Sequence, residues 1–174
     1  MKQTIMLIGF MGTGKSTVSR KLHELAGLKE TDLDAYIEKK AGCKISEIFE
    51  KQGETAFRDL ETRYLRELLE ESSGIISCGG GTVLRSGNVA CMKEHGRIVL
   101  LTAQPDTIYK RVRNSTSRPV LNGHMNVEYI EQLMEARREA YERAADLTIP
   151  TDFRSVEDIC GEILKKCSIS VKNS

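Results

Sequence analysis

The residues best equipped for chemistry stand near the start of the chain. Gly9-Phe10-Met11-Gly12-Thr13-Gly14-Lys15-Ser16-Thr17 reads G-x-x-x-x-G-K-[ST], followed by one more hydroxyl. The apolar run Thr4-Ile5-Met6-Leu7-Ile8 precedes it, and Val18, Leu22 and Leu25 follow at helical spacing. A strand, a glycine loop and a helix in that order make a phosphate cradle. Glycines let backbone N–H groups turn inward on phosphate oxygens, and the helix start adds its positive dipole end. On this reading Gly12, Thr13, Gly14, Lys15, Ser16 and Thr17 hold the phosphates of ATP. Lys15 reaches the β- and γ-phosphates, and the Ser16 hydroxyl enters the shell of a Mg²⁺ ion.

Four further groups lie where such a loop could use them. Asp32-Leu33-Asp34 ends a short, weak strand reading, Leu28–Thr31. Two residues apart in extended chain, both carboxylates would face the phosphate loop. Asp32 is then a candidate for the Mg²⁺ water shell and Asp34 for the acceptor hydroxyl, unless one merely caps the next helix. Arg58 follows Glu54 by four residues, which suits either a solvated pair or a ligand contact. Arg137 falls near the centre of a helical stripe of Ile130, Leu133, Met134, Tyr141 and Ala144, whereas Arg138 points away. An inward guanidinium needs an anion, either a structural carboxylate or a bound one gripped bidentately. Gly79-Gly80-Gly81 is either a tight turn or a wall against which a ligand comes close. No Asp stands at that strand end, so Asp32 is left as the carboxylate for the metal.

Several elements must position these groups. Strand readings at 4–8, 28–31, 74–78, 97–101 and 147–149 alternate with helix readings. The helices are read at 18–25, 36–41, 45–49, 54–71, 88–94, from Pro105 to 113, at 127–145 and at 156–166, with Gly42 and Gly53 as stops. The polar stretch 114–126 shows no period and reads as a lid that excludes water. This alternation predicts an α/β fold, a three-layer α/β/α sandwich around a central parallel sheet, of the P-loop, nucleoside monophosphate kinase-like type. At 174 residues the chain reads as one domain, with a loose tail at 168–174. Lys+Arg 26 against Asp+Glu 25 gives +1, which leaves no electrostatic footprint for nucleic acid or membrane. Five cysteines without a C-x-x-C pair suit free thiols in a reducing cytoplasm, and no apolar run is long enough to span a membrane.

The chain resembles the shikimate kinases from Ile5 to about Ser155. The motifs that carry the resemblance are residues 9–17, Asp32-Leu33-Asp34, Ile45-Ser46-Glu47-Ile48-Phe49, Gly53-Glu54 with Phe57-Arg58 and Glu61, the triglycine 79–81, Arg118-Pro119, and Arg137 with Tyr141. The resemblance implies transfer of the γ-phosphoryl of ATP to the 3-hydroxyl of shikimate, with Mg²⁺, by a monomer. It implies that Asp34 binds the ring hydroxyls and serves as candidate base, and that Arg58 and Arg137 grip the carboxylate. Gly79, Gly80 and Gly81 would lie against the substrate. Arg118 would reach the transferring phosphate from the lid, and Arg111 and Arg154 would flank the adenine. Cys78, Val120 and Glu139-Ala140 depart from the common pattern, and none removes a charged group. The nearest rival is a gluconate kinase or another small-metabolite kinase of this fold. It would be expected to lack the triglycine and to have no use for both arginines. A nucleotide switch would need a guanine-reading N-K-x-D motif, which is absent, and a binding protein that has lost catalysis is the remaining alternative.

Overall fold

Residues 4–71, 73–114 and 126–172 are described by a computed structural model. Among them five strands form one sheet: β1 (Thr4–Ile8), β2 (Glu30–Asp32), β3 (Ile75–Ser77), β4 (Gly96–Thr102) and β5 (Leu147–Pro150). Every pairing is parallel, in the order β2-β3-β1-β4-β5. The helices are α1 (Lys15–Ala26), α2 (Leu33–Ala41), α3 (Ile45–Glu71), α4 (Ser86–His95), α5 (Pro105–Val112), α6 (Val127–Ala144) and α7 (Val156–Lys166), and a 3₁₀ turn covers Thr82–Leu84.

The layering follows from alternation along the central strand. Side chains two apart share a face, so Ile5 and Leu7 enter one apolar cluster while Met6 and Ile8 enter the other. The first cluster is closed by Val18 and Leu22 of α1 with Ile159, Ile163 and Leu164 of α7. The second is closed by α2 to α6, through Ile37, Phe57, Leu65, Met92, Ile108, Ile130 and Tyr141. Both faces of the sheet are therefore covered, which is what its unbroken apolar strands require.

Two departures from the sequence reading bear on function. β2 ends at Asp32, whose carboxylate accepts from the Ala35 N–H at 2.9 Å and caps α2. Asp34 therefore lies in the first turn of a helix. The extended Asp-Leu-Asp geometry is corrected, and the alternative holds instead: Asp32 caps the next helix, and the chain turns there. The helices read at 45–49 and 54–71 adjoin as α3, and only Gly53 is non-helical, at φ 83 and ψ 174.

Candidate active site

Parallel sheets of this kind collect ligands outside the carboxyl ends of their strands. A cleft of about 1310 Å³ opens there, lined by the phosphate loop, the start of α2, the middle of α3, the triglycine and Arg137. The loop joins β1 to α1. Gly12 holds a left-handed φ of 78, and a Cβ there would stand 2.8 Å from Val112 Cγ1, so any other residue would be strained and would push Val112 aside. Thr13 is buried, and both its N–H and its hydroxyl go to the Phe10 carbonyl. It shapes the loop and is not among the residues lining the cleft, unlike Gly12, Gly14, Lys15, Ser16 and Thr17. Gly14 begins α1 without a side-chain cap, leaving the first N–H groups of the helix for an anion. The Lys15 ammonium donates to the carbonyls of Gly9 at 2.8 Å and Phe10 at 3.0 Å.

Asp34 faces the open cleft from α2. Desolvation by the cleft walls, reinforced by the charges of Asp32 and Glu61, pushes its carboxyl up to about 6 against the pull of Lys15 and Arg58. Across the cleft, Arg58 is mostly covered and is held in place by α3 itself. It donates to Glu61 Oε2 at 2.8 Å, reaches Glu54 at 3.6 Å, and lies 5.1 Å from the Phe57 ring centre. Glu61 is fully buried; its other oxygen accepts from the Thr82 hydroxyl at 2.7 Å, and Asn88 donates to the Thr82 carbonyl at 2.9 Å. A chain of bonds from α4 through the 3₁₀ turn thus fixes one guanidinium.

Arg137 is half-buried on α6, its guanidinium 6.0 Å from the centre of the Phe10 ring. Among the described residues no carboxylate pairs with it. Arg138 is exposed and pairs with Glu135 at 2.6 Å. The triglycine lies between the two arginines of the cleft: a Cβ on Gly80 would stand 3.1 Å from Arg137 Nη1, and one on Gly81 would collide with the Arg58 guanidinium. A Cβ on Gly79 would meet the carboxylates of Asp34 and Glu61 at 3.2 and 3.3 Å. Two guanidinium groups, one carboxylate and a bare backbone wall therefore surround a space next to a phosphate loop.

With this geometry in view, a family model described as shikimate kinase matches residues 11–168. The chain belongs to the shikimate kinase family. It is 43% identical over 161 residues to a shikimate kinase of Geobacter sulfurreducens, covering 92% of this chain and 88% of that one. It is 39% identical over 166 residues to one of Dehalococcoides mccartyi, covering 95% and 94%. A solved shikimate kinase from Acinetobacter baumannii, in complex with shikimate, superposes with a TM-score of 0.87 at 34% identity, covering 94% of this chain and 92% of that one.

Within the family frame, the structure gathers most of the predicted site residues and separates a few. Asp32, Asp34, Arg58, Gly79, Gly80, Gly81, Arg111 and Arg137 all line the cleft. Arg111 donates to the Gly12 carbonyl at 3.0 Å and to the Thr151 hydroxyl at 3.2 Å, bracing the loop from α5. Arg154 is not among the lining residues; it pairs with Glu162 at 2.8 Å and donates to the Pro150 carbonyl. Arg118 and the rest of 115–125 lie outside the described residues. The role of Glu61 was not foreseen, although a signal existed. It lies on the Phe57, Tyr64, Leu65, Leu68 stripe, where a carboxylate needs a buried partner. Ser16 and Asp32 offer hard oxygen donors, and no cluster of three or more acidic, His or Cys ligands occurs among the described residues. That donor set suits Mg²⁺, which keeps its waters and takes most remaining ligands from phosphates.

Proposed function

We propose that this chain transfers the γ-phosphoryl of ATP to the 3-hydroxyl of shikimate, acting as a single-domain monomer in the cytoplasm. The observation that carries the reading is the pairing of Arg58 and Arg137 about the triglycine, within one cleft shared with the phosphate loop. Two guanidinium groups beside a bare glycine wall suit an acceptor that carries a carboxylate and comes close to the backbone, since Arg grips a carboxylate bidentately.

The geometry of the described residues supports a role for each group. Backbone N–H groups at the start of α1 and the Lys15 ammonium bind and orient the phosphates. To do so, Lys15 exchanges two neutral carbonyl acceptors for charged oxygens. Ser16 and Asp32 would hold the Mg²⁺ of the nucleotide, which supplies charge neutralisation across the β- and γ-phosphates. Arg111 lies beside the loop on the nucleotide side, while Arg154 reaches the adenine only by giving up Glu162. Arg58 and Arg137 grip the carboxylate, and the triglycine lets the ring come close. Asp34 binds the hydroxyl and takes or orients its proton; a value of about 6 leaves it ionised at neutral pH yet a usable base. Arg118, by its place in the family motif, supplies positive charge to the transferring phosphoryl. Phosphoryl transfer needs little else, since positioning and charge stabilisation carry it.

The test is ADP release measured with shikimate, gluconate and each nucleoside monophosphate as acceptor. Shikimate alone is expected to accelerate turnover. Equal stimulation by gluconate would overturn the substrate assignment.

A further inference from the structure

Tyr141 belongs to none of the roles above, yet it touches the substrate wall directly. It stands four residues after Arg137 on α6, so both side chains project from one face of that helix. Its ring is buried in the cluster that contains Phe10, Ile130 and Ala144. Its hydroxyl donates to the Gly80 carbonyl at 2.6 Å, across 61 residues of sequence. The Gly80 Cα side in turn looks onto three groups: a Cβ there would lie 3.1 Å from Arg137 Nη1, 3.5 Å from the Tyr141 hydroxyl and 3.9 Å from the Gly9 carbonyl.

We infer that Tyr141 is a positioning residue for the acceptor: by holding the Gly80 carbonyl, it fixes the glycine wall in register with the Arg137 guanidinium and the phosphate loop. The inference rests on the proposed shikimate reading and deepens it. Glycine gives the wall its closeness, but three glycines in a row have little stiffness of their own. Something must hold the turn at one distance from α6, and one short bond from a buried ring does so. Burial pushes the hydroxyl's pKa up, with the Arg137 guanidinium pulling the other way, so Tyr141 stays a donor at working pH. A bond that only fastened α6 to the sheet could fall anywhere along the helix. This one falls on the residue that the substrate would touch, one helical turn from the side chain that would grip it.

Tyr141→Phe is the decisive variant, because it keeps the ring and removes only the donor. Shikimate KM, ATP KM and kcat are measured well below the variant's own melting transition, with apo melting temperature recorded alongside. The shikimate KM is expected to rise roughly three- to tenfold, the range set by one lost hydrogen bond, with ATP KM changed by less than about twofold. In an Arg137→Ala background the same substitution is expected to add less than about twofold, because the wall no longer has a guanidinium to be aligned with. A variant that melts earlier but keeps the wild-type shikimate KM would overturn the inference and make the bond structural. So would a full and independent KM effect on top of Arg137→Ala. If the wild-type protein itself shows no shikimate-dependent turnover, the substrate reading falls first and this inference falls with it. A wild-type protein active on shikimate with a silent Tyr141→Phe sinks this inference alone.

Discussion

Arg137→Ala is expected to raise the shikimate KM by about one and a half to nearly four decades and to leave ATP affinity almost unchanged, because losing one partner of a desolvated charge pair costs roughly 2–5 kcal/mol. Arg138→Ala, with its exposed partner Glu135, should be close to silent. Shikimate KM and apo melting temperature on both variants decide the matter, and a shikimate defect in the Arg138 variant would reverse the assignment. Asp34 makes a second prediction, about pH. Its folded value of about 6 stands above the usual 3.8, so between those values the folded protein binds the proton more tightly than the unfolded chain. Stability therefore falls as pH rises through that window and stays lowered above it. Asp34→Asn is expected to melt higher than wild type at pH 8, with the gain vanishing toward pH 4, while turnover collapses at every pH. In the wild type, kcat/KM at low concentrations of both substrates should rise through about pH 6. A melting temperature lower in the Asn variant at pH 8 would mean that Asp34 is structurally favoured as an anion. The phosphate loop and the inward phase of Arg137 were legible in sequence because spacing alone determines them. The Glu61–Thr82 support of Arg58 was legible only by half: the place of Glu61 on the apolar stripe called for a buried partner, but nothing in the sequence pointed to Thr82.

The kink in α3 decides where the cleft's apolar wall stands. Gly53 occupies a region of φ and ψ open essentially to glycine, and no atom lies within 4 Å of where its Cβ would be, so the constraint is in the backbone and not in packing. The turn directs Ile45 and Phe49 toward the cleft and puts the Phe49 ring 4.9 Å from Phe57. Gly53→Ala is expected to cost roughly 1–3 kcal/mol of strain, a fall of about 2–10 °C in melting temperature, and to weaken shikimate binding as the first half of α3 swings away. Gly161→Ala, on the exposed side of α7 with open space around it, should do the opposite and raise the melting temperature slightly. Thermal melts of the two variants check both signs. A Gly53 variant as stable as wild type would show that α3 straightens without penalty. At this scale the alternation of strands and helices was readable because apolar runs and glycine stops mark each element. The start of α2, read at 36, lies three residues earlier at Leu33, because whether Asp32 extends a strand or caps a helix depends on the neighbouring strand that ends its pairing at Ser77.

Taken whole, the molecule is a parallel sheet in which the central strand comes first in sequence and its two neighbours come much later. β1 pairs with β3 at Ile5↔Ile75 and with β4 at Thr4↔Gly96. The phosphate loop leans on the second neighbour, since Gly9 sits directly against the Leu101 carbonyl. This has a consequence for the order of events during synthesis. Residues 9–17 leave the ribosome well before β4 does, yet their shape depends on that strand, which is not made until residue 102. Contacts so distant along the chain form late, after the entropy of closing a long loop has been overcome. Until β4 is made, the nascent chain therefore carries a complete nucleotide motif with no nucleotide affinity. A fragment of residues 1–95 is expected to give no ATP binding by calorimetry, although it contains every residue of the motif. A fragment that binds ATP nearly as well as the full chain would mean that the loop shapes itself. Otherwise the protein cannot capture ATP on the ribosome until β4 has emerged and closed beside β1, and the nucleotide becomes a ligand of the finished sheet.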